Sequence, residues 1–145
     1  MRSRFWTALL CALLAPAVAA AAENSIEPGQ WKVTTNTMIN GAPLPPQVKA
    51  RCLTAEQTGD IGKTFGPAMT TVNSDCARTE YDVTGQKLKW RLQCKGQIDM
   101  DVAGEFNFDS PSHYTATVIT KGWMGGMLTN DVKTELEGER VSECQ

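Results

Sequence analysis

Catalytic raw material is scarce in this chain. Its 145 residues hold one histidine, His113, and no serine set in a G-x-S-x-G elbow. There is no C-x-x-C pair, which sets aside the common structural zinc sites. No glycine-rich segment leads from a strand into a helix, as a phosphate cradle requires; Gly122, Gly125 and Gly126 lie between two alternating segments instead. Basic charge is not in excess. Lysine and arginine total 14 against 16 acids, for a formal charge of −2, which argues against nucleic acid as the main partner. After residue 22 no apolar stretch approaches the roughly 20 residues that cross a bilayer. These absences leave no catalytic residue, metal site or cofactor to assign, and the expectation is a protein that is not an enzyme.

What is present begins with a leader. Arg2 and Arg4 open it, an apolar run follows from Phe5 to Leu14, and Pro16 ends that run. Small residues from Ala17 to Ala22 then supply cleavage points between residues 19 and 22. Residues 1–22 therefore read as a secretory signal peptide, and residues 23–145 as one domain bound for the periplasm or the medium. Loss of Arg2 and Arg4 takes the formal charge from −2 to −4, ordinary for an exported protein. No integral membrane span remains.

Cys11 leaves with the leader, and Cys52, Cys76, Cys94 and Cys144 stay. An even count in an exported chain implies two disulfides. Cys76 and Cys94 lie symmetrically about Gly85, in a segment that turns at Val83 to Lys87 and returns with Leu88, Trp90, Leu92 and Cys94 on one face. That hairpin favours Cys76–Cys94, which leaves Cys52–Cys144. The rival pairing is Cys52–Cys76 with Cys94–Cys144.

Alternation continues along the chain. Trp31 and Val33 share a face of a first strand, and Asn40-Gly41 with Pro43, Pro45 and Pro46 makes a stiff turn. A returning strand at 47–53 places Val48, Ala50 and Cys52 inward and Lys49 and Arg51 outward. Thr54 to Gln57 has the T-x-x-Q form of a helix capping box. Residues 58–75 read as a long loop crossing one end of the domain, with room for one helical turn, anchored by Phe65, Met69 and Val72. A strand at 98–108 follows the central hairpin, with a bend or bulge expected at Gly104. Tyr114, Ala116 and Val118 mark the next strand, and Leu128, Val132 and Leu136 the one after it. A turn at Glu137-Gly138 leads to a short last strand. The fold expected is all-β: an antiparallel meander of 7–8 strands forming a small barrel or strongly curled sheet, with at most one short helix near 54–58.

Candidate contacts are few. Asp99, Asp101 and Glu105 alternate along one strand face, the pattern of a solvated surface. An enzyme reading would need His113 to meet Asp99 or Glu105 in a cleft. Met124 and Met127 flank two glycines beside Trp123. Thioethers bind Cu(I), but no histidine and no further repeat accompanies them, so the segment reads as an adaptable apolar loop. The candidate ligand or partner contacts are Trp31, Trp90, Trp123, Met124 and Met127. The cavity expected is lined by Trp31, Trp90, Leu92, Met100 and Phe106 and open near 122–128.

A combination of motifs covers the mature chain: Glu27-Pro28-Gly29-x-Trp31-x-Val33, then Pro45-Pro46-Gln47, then Arg51-Cys52-Leu53-Thr54, Trp90 before Cys94, a Gly-Met loop and a C-terminal cysteine. In these the chain resembles the bacterial exported family known as domain of unknown function 3617, although it ends Glu143-Cys144-Gln145 where members tend to end Gly-Asp-Cys. The resemblance implies export and supplies no activity. Gly29-x-Trp31 is also similar to the opening of lipocalin-type barrels, in which the tryptophan packs across the closed end. The functional expectation is an exported periplasmic protein that binds an apolar small molecule or an envelope component. Its alternative is a non-catalytic structural or interaction protein of the envelope.

Overall fold

The computed structural model describes residues 26–68 and 74–145. The expected signal peptide, with Cys11, lies outside the described residues, as do Met69 and Val72. Eight strands form one sheet: β1 (Gly29–Ile39), β2 (Ala42–Pro43), β3 (Gln47–Leu53), β4 (Ser74–Thr84), β5 (Lys87–Gly96), β6 (Asp99–Ser110), β7 (His113–Met124) and β8 (Met127–Ser142). Two short helices, α1 (Ala55–Gly59) and α2 (Ile61–Phe65), lie between β3 and β4.

β4 to β8 form a meander, each strand antiparallel to the next. β1 then joins the outer edge of β8, so the order is β2-β1-β8-β7-β6-β5-β4, with β3 also on β1. The sheet is strongly curled and does not close into a barrel. Its edges are β2 with β3 on one side and β4 on the other. The chain passes from the first edge to the second through α1 and α2.

These helices exist for local reasons. Thr54 Oγ1 accepts from the Gln57 N–H, and the Gln57 side chain accepts from the Thr54 N–H, which completes the predicted capping box. The second helix exceeds the single short one expected near 54–58 and fills the helical turn that the loop at 58–75 left room for. Asp60 starts it by accepting from the Lys63 N–H. Ile61 and Phe65, one turn apart, give it a single buried face, enough to hold so short a helix through tertiary packing.

The core lies on the inner face of the curl. Trp31 and Leu88 are 0% exposed, and Leu53, Trp90, Phe106, Phe108 and Tyr114 pack around them. Phe65 reaches this cluster from α2, its ring centre 5.5 Å from Phe106, 5.3 Å from Phe108 and 5.1 Å from Tyr114. Each such tilted or edge-on pair contributes about 0.5–1.5 kcal/mol beyond area burial. The Trp90 indole donates to the Phe65 carbonyl at 3.0 Å, tying the strap to the sheet. Both disulfides follow the favoured pairing, Cys76–Cys94 within the β4–β5 hairpin and Cys52–Cys144 between β3 and the tail.

Several expectations are corrected. Gly104 is no bulge, because the β5–β6 and β6–β7 registers run through it unbroken. Trp90 lies directly across from it, and a Cβ there would stand 2.4 Å from the indole. Gly138 is no turn either. β8 continues through it, with the Tyr114 ring 2.1 Å from where a Cβ would be. Both glycines clear space for an aromatic ring from the paired strand. Leu128 is 50% exposed, because it lies past an irregularity at Gly122/Trp123 that carries the β7–β8 tip away from the core.

The facing of β3 is reversed. Trp31 pairs with Arg51 and Val33 with Lys49, and directly opposed residues share a face. Lys49 and Arg51 therefore lie on the inner face, while Val48, Ala50 and Cys52 lie outside, with Val48 62% exposed. Leu53, 1% exposed, sets this parity, and Cys52 meets Cys144 on the opposite side.

Candidate functional site

The residues singled out in the sequence separate into two groups. Trp31 and Trp90 are core. The Trp31 indole donates to the Glu27 carbonyl at 3.2 Å, beneath the N-terminal segment. Leu92 is buried with them, so these side chains do not wall an open cavity. Trp123, Met124 and Met127 are together at the β7–β8 tip. Met124 pairs with Met127 and Trp123 with Leu128, and Met127 is 73% exposed.

The strand acids each meet a cation on the outer face. Asp99 accepts from Lys95 at 2.8 Å, Asp101 from Arg91, and Glu105 pairs with Lys89 at 3.3 Å. Hydrogen bonding from Arg91 holds the Asp101 carboxyl below the usual range, and that from Lys95 does the same for Asp99. His113 has other partners. Its Nδ1 is 2.7 Å from Asp109 Oδ1 and its Nε2 3.1 Å from Glu137 Oε1, and these contacts raise the imidazole pKa. This is an exposed ion-pair cluster at the β6–β7 turn. A shallow trough of about 490 Å³ runs nearby, lined by Glu105, Glu135 and Glu137. All three carboxylates already pair, with Lys89, Lys133 and His113. Among the described residues no group of three His, Cys, Asp or Glu could hold a metal ion.

The inner face holds the more informative space. A cleft of about 470 Å³ opens between α2 and the β1–β3 hairpin. Val33, Phe65, Phe106, Tyr114 and Leu136 form its apolar walls, and Lys49 and Arg51 stand along one side. The Arg51 guanidinium lies 5.8 Å from the centre of the Phe65 ring. Burial pushes the Tyr114 hydroxyl pKa up, so the group stays a neutral donor. Among the described residues no acidic side chain lines this cleft. Phe106 is the one residue of the expected cavity that reaches it. Lys49 and Arg51 were missed because Val48, Ala50 and Cys52 form the apolar alternation of β3 and draw the inward assignment to themselves. The available signal was Leu53, the one large apolar side chain near the end of that strand.

Residues 26–144 match a family described as Protein of unknown function (DUF3617). The chain belongs to this family. No curated protein and no solved structure matches it. In this DUF3617 domain the opening motif and the Arg51-Cys52-Leu53 motif meet at one end of the sheet, while the Gly-Met loop lies at the other end of β8. Gly29 pairs with Leu53 and Trp31 with Arg51, while Arg140 donates to the Pro28 carbonyl at 2.8 Å. The tryptophan of the lipocalin-like opening is therefore buried at a sealed end, although the sheet around it stays open. No helix among the described residues of this DUF3617 domain is long and apolar enough to cross a membrane.

Proposed function

We propose that this chain is an exported, non-catalytic binding protein that takes the apolar part of a small molecule into the cleft between α2 and the β1–β3 hairpin. The observation carrying this reading is the unfilled apolar space itself. At about 470 Å³, with walls from Val33, Phe65, Phe106, Tyr114 and Leu136, it lies in the size range of small-molecule sites. Two disulfides support an oxidising compartment such as the periplasm. The test is titration with the neutral dye N-phenylnaphthylamine. A saturable fluorescence rise at one dye per chain is expected, and it should vanish in Leu136→Trp, which fills the cleft from a half-buried position, while the thermal midpoint stays near the parent's. Absence of a rise, or a rise that Leu136→Trp leaves unchanged, would sink the reading.

A second reading, an interaction protein of the envelope, is favoured by the β7–β8 tip, where Met124, Met127 and Leu128 are all at least half exposed. It expects Met124→Ser with Met127→Ser to release the protein from the envelope fraction while dye binding persists. Unchanged fractionation would discard it.

A further inference from the structure

The cleft has a chemical asymmetry. β3 is the edge strand of the β1–β3 hairpin, and its register places Lys49 and Arg51, both solvent-exposed, along the rim of an apolar cleft. Alternate residues of a strand lie roughly 7 Å apart on one face, so the two cations form a short positive rail beside Phe65 and Leu136. Most other described lysines and arginines meet a carboxylate: Lys32 with Glu139, Lys89 with Glu105, Lys121 with Asp131, Lys133 with Glu135 and Arg140 with Glu143. Among the described residues Lys49 and Arg51 have no such partner. Arg51 also lines a separate polar cleft with Glu56 and Asp60. Glu56 faces Lys63 at 4.0 Å, and Asp60 caps α2 through the Lys63 N–H. The Tyr114 hydroxyl adds a donor to the apolar cleft and makes no hydrogen bond with the described residues.

We infer that the cleft is built for an anionic, single-tailed amphiphile of the fatty-acid class: its carboxylate sits between Lys49 and Arg51, and its tail lies along Phe65, Phe106 and Leu136. This rests on the proposed cleft binding and adds the identity of the head group. A planar guanidinium stacked near an aromatic ring presents its fork to a carboxylate, and such charge-assisted hydrogen bonds are about twice as strong as neutral ones. Apolar walls keep the pair partly out of water and so less screened. The cleft has room for one acyl chain rather than the two of a phospholipid.

The experiment displaces N-phenylnaphthylamine from the mature protein at neutral pH with dodecanoate, dodecanol, dodecylamine and dodecyl phosphate. Dodecanoate should compete about tenfold better than dodecanol, as charged hydrogen bonds of this kind predict, with dodecylamine weakest. Rising salt should weaken dodecanoate and leave dodecanol unchanged, a readout that needs no variant. In Lys49→Gln with Arg51→Gln, both exposed positions, the preference should disappear while dodecanol binds as before. Equal competition by dodecanoate and dodecanol, or a preference that survives the double substitution, overturns the head-group inference and leaves cleft binding standing. Stronger competition by dodecyl phosphate overturns the choice of a carboxylate. If neither the dye nor any amphiphile binds, both readings fall.

Discussion

His113 shows how a single residue can be chemically conspicuous and functionally local. Two carboxylates, Asp109 and Glu137, hold its ring from either side, and the Asp109 hydrogen bond is the larger cause of its raised pKa. A group with a raised folded pKa contributes stability that is fully present below its unfolded value, about 6.5, and is lost as pH rises through the folded one. The urea midpoint of His113→Gln should therefore fall furthest below the parent at a pH under about 6.5 and converge on it as the pH rises through the raised folded value, for a contribution below about 1 kcal/mol. A gap that widens with pH would show that the imidazole acts uncharged. Gly104 and Gly138 teach a different lesson at this scale. Both were legible as special positions, but the cause was not. A glycine in an alternating segment marks a bulge, a turn or a close approach with equal force. Only the cross-strand positions of Trp90 and Tyr114 decide which.

Among the elements, α2 does the most with the fewest residues. It carries Phe65 onto the inner face and forms one wall of the cleft. Its helix contributes little by itself, since a single turn is unstable in isolation. Phe65→Ala should cost about 3–5 kcal/mol, as for other buried phenylalanines. The loss should appear first as faster hydrogen exchange in α1 and α2 and a red-shifted Trp90 emission, with β5 to β7 still protected. Uniform loss of protection across the sheet would show that the strap and sheet fold as one unit. β3 is the element read wrongly from sequence, and the reason is physical. It is an edge strand whose outer face carries the small apolar residues Val48, Ala50 and Cys52 while Lys49 and Arg51 lie inside, so alternation by itself points to the wrong face. Its parity follows from pairing with β1 and from the burial of Leu53.

For the whole molecule, the open curl makes the ends of the chain matter. β8 lies between β1 and β7, so the last long strand is interior and the first pairs with it. Cys52–Cys144 then locks β3 to the tail across a separation of 92 residues. A cross-link over that span restricts the unfolded chain by about 4–5 kcal/mol in the loop-entropy treatment. Both cysteines are exposed, so replacing them leaves no buried void. Cys52→Ala with Cys144→Ala should thus lower the unfolding free energy by up to that amount in urea denaturation, without loss of the sheet signal in circular dichroism. A loss under about 1 kcal/mol would mean that the β1–β8 pairing already supplies the constraint.

Alternation and turn chemistry by themselves determined the all-β antiparallel class, the inner faces of β5 to β7, the capping box of α1 and the favoured disulfide pairing. These are properties of short segments, where side-chain parity and local hydrogen bonds are set by neighbours in the chain. Tertiary structure decided the rest: that β1 pairs with β8, that the sheet stays open, that α2 straps its inner face and that Lys49 and Arg51 face an apolar cleft. Each depends on which distant residues meet. An edge strand has a partner on one side only, so its facing is settled by that partner and by what the whole fold buries.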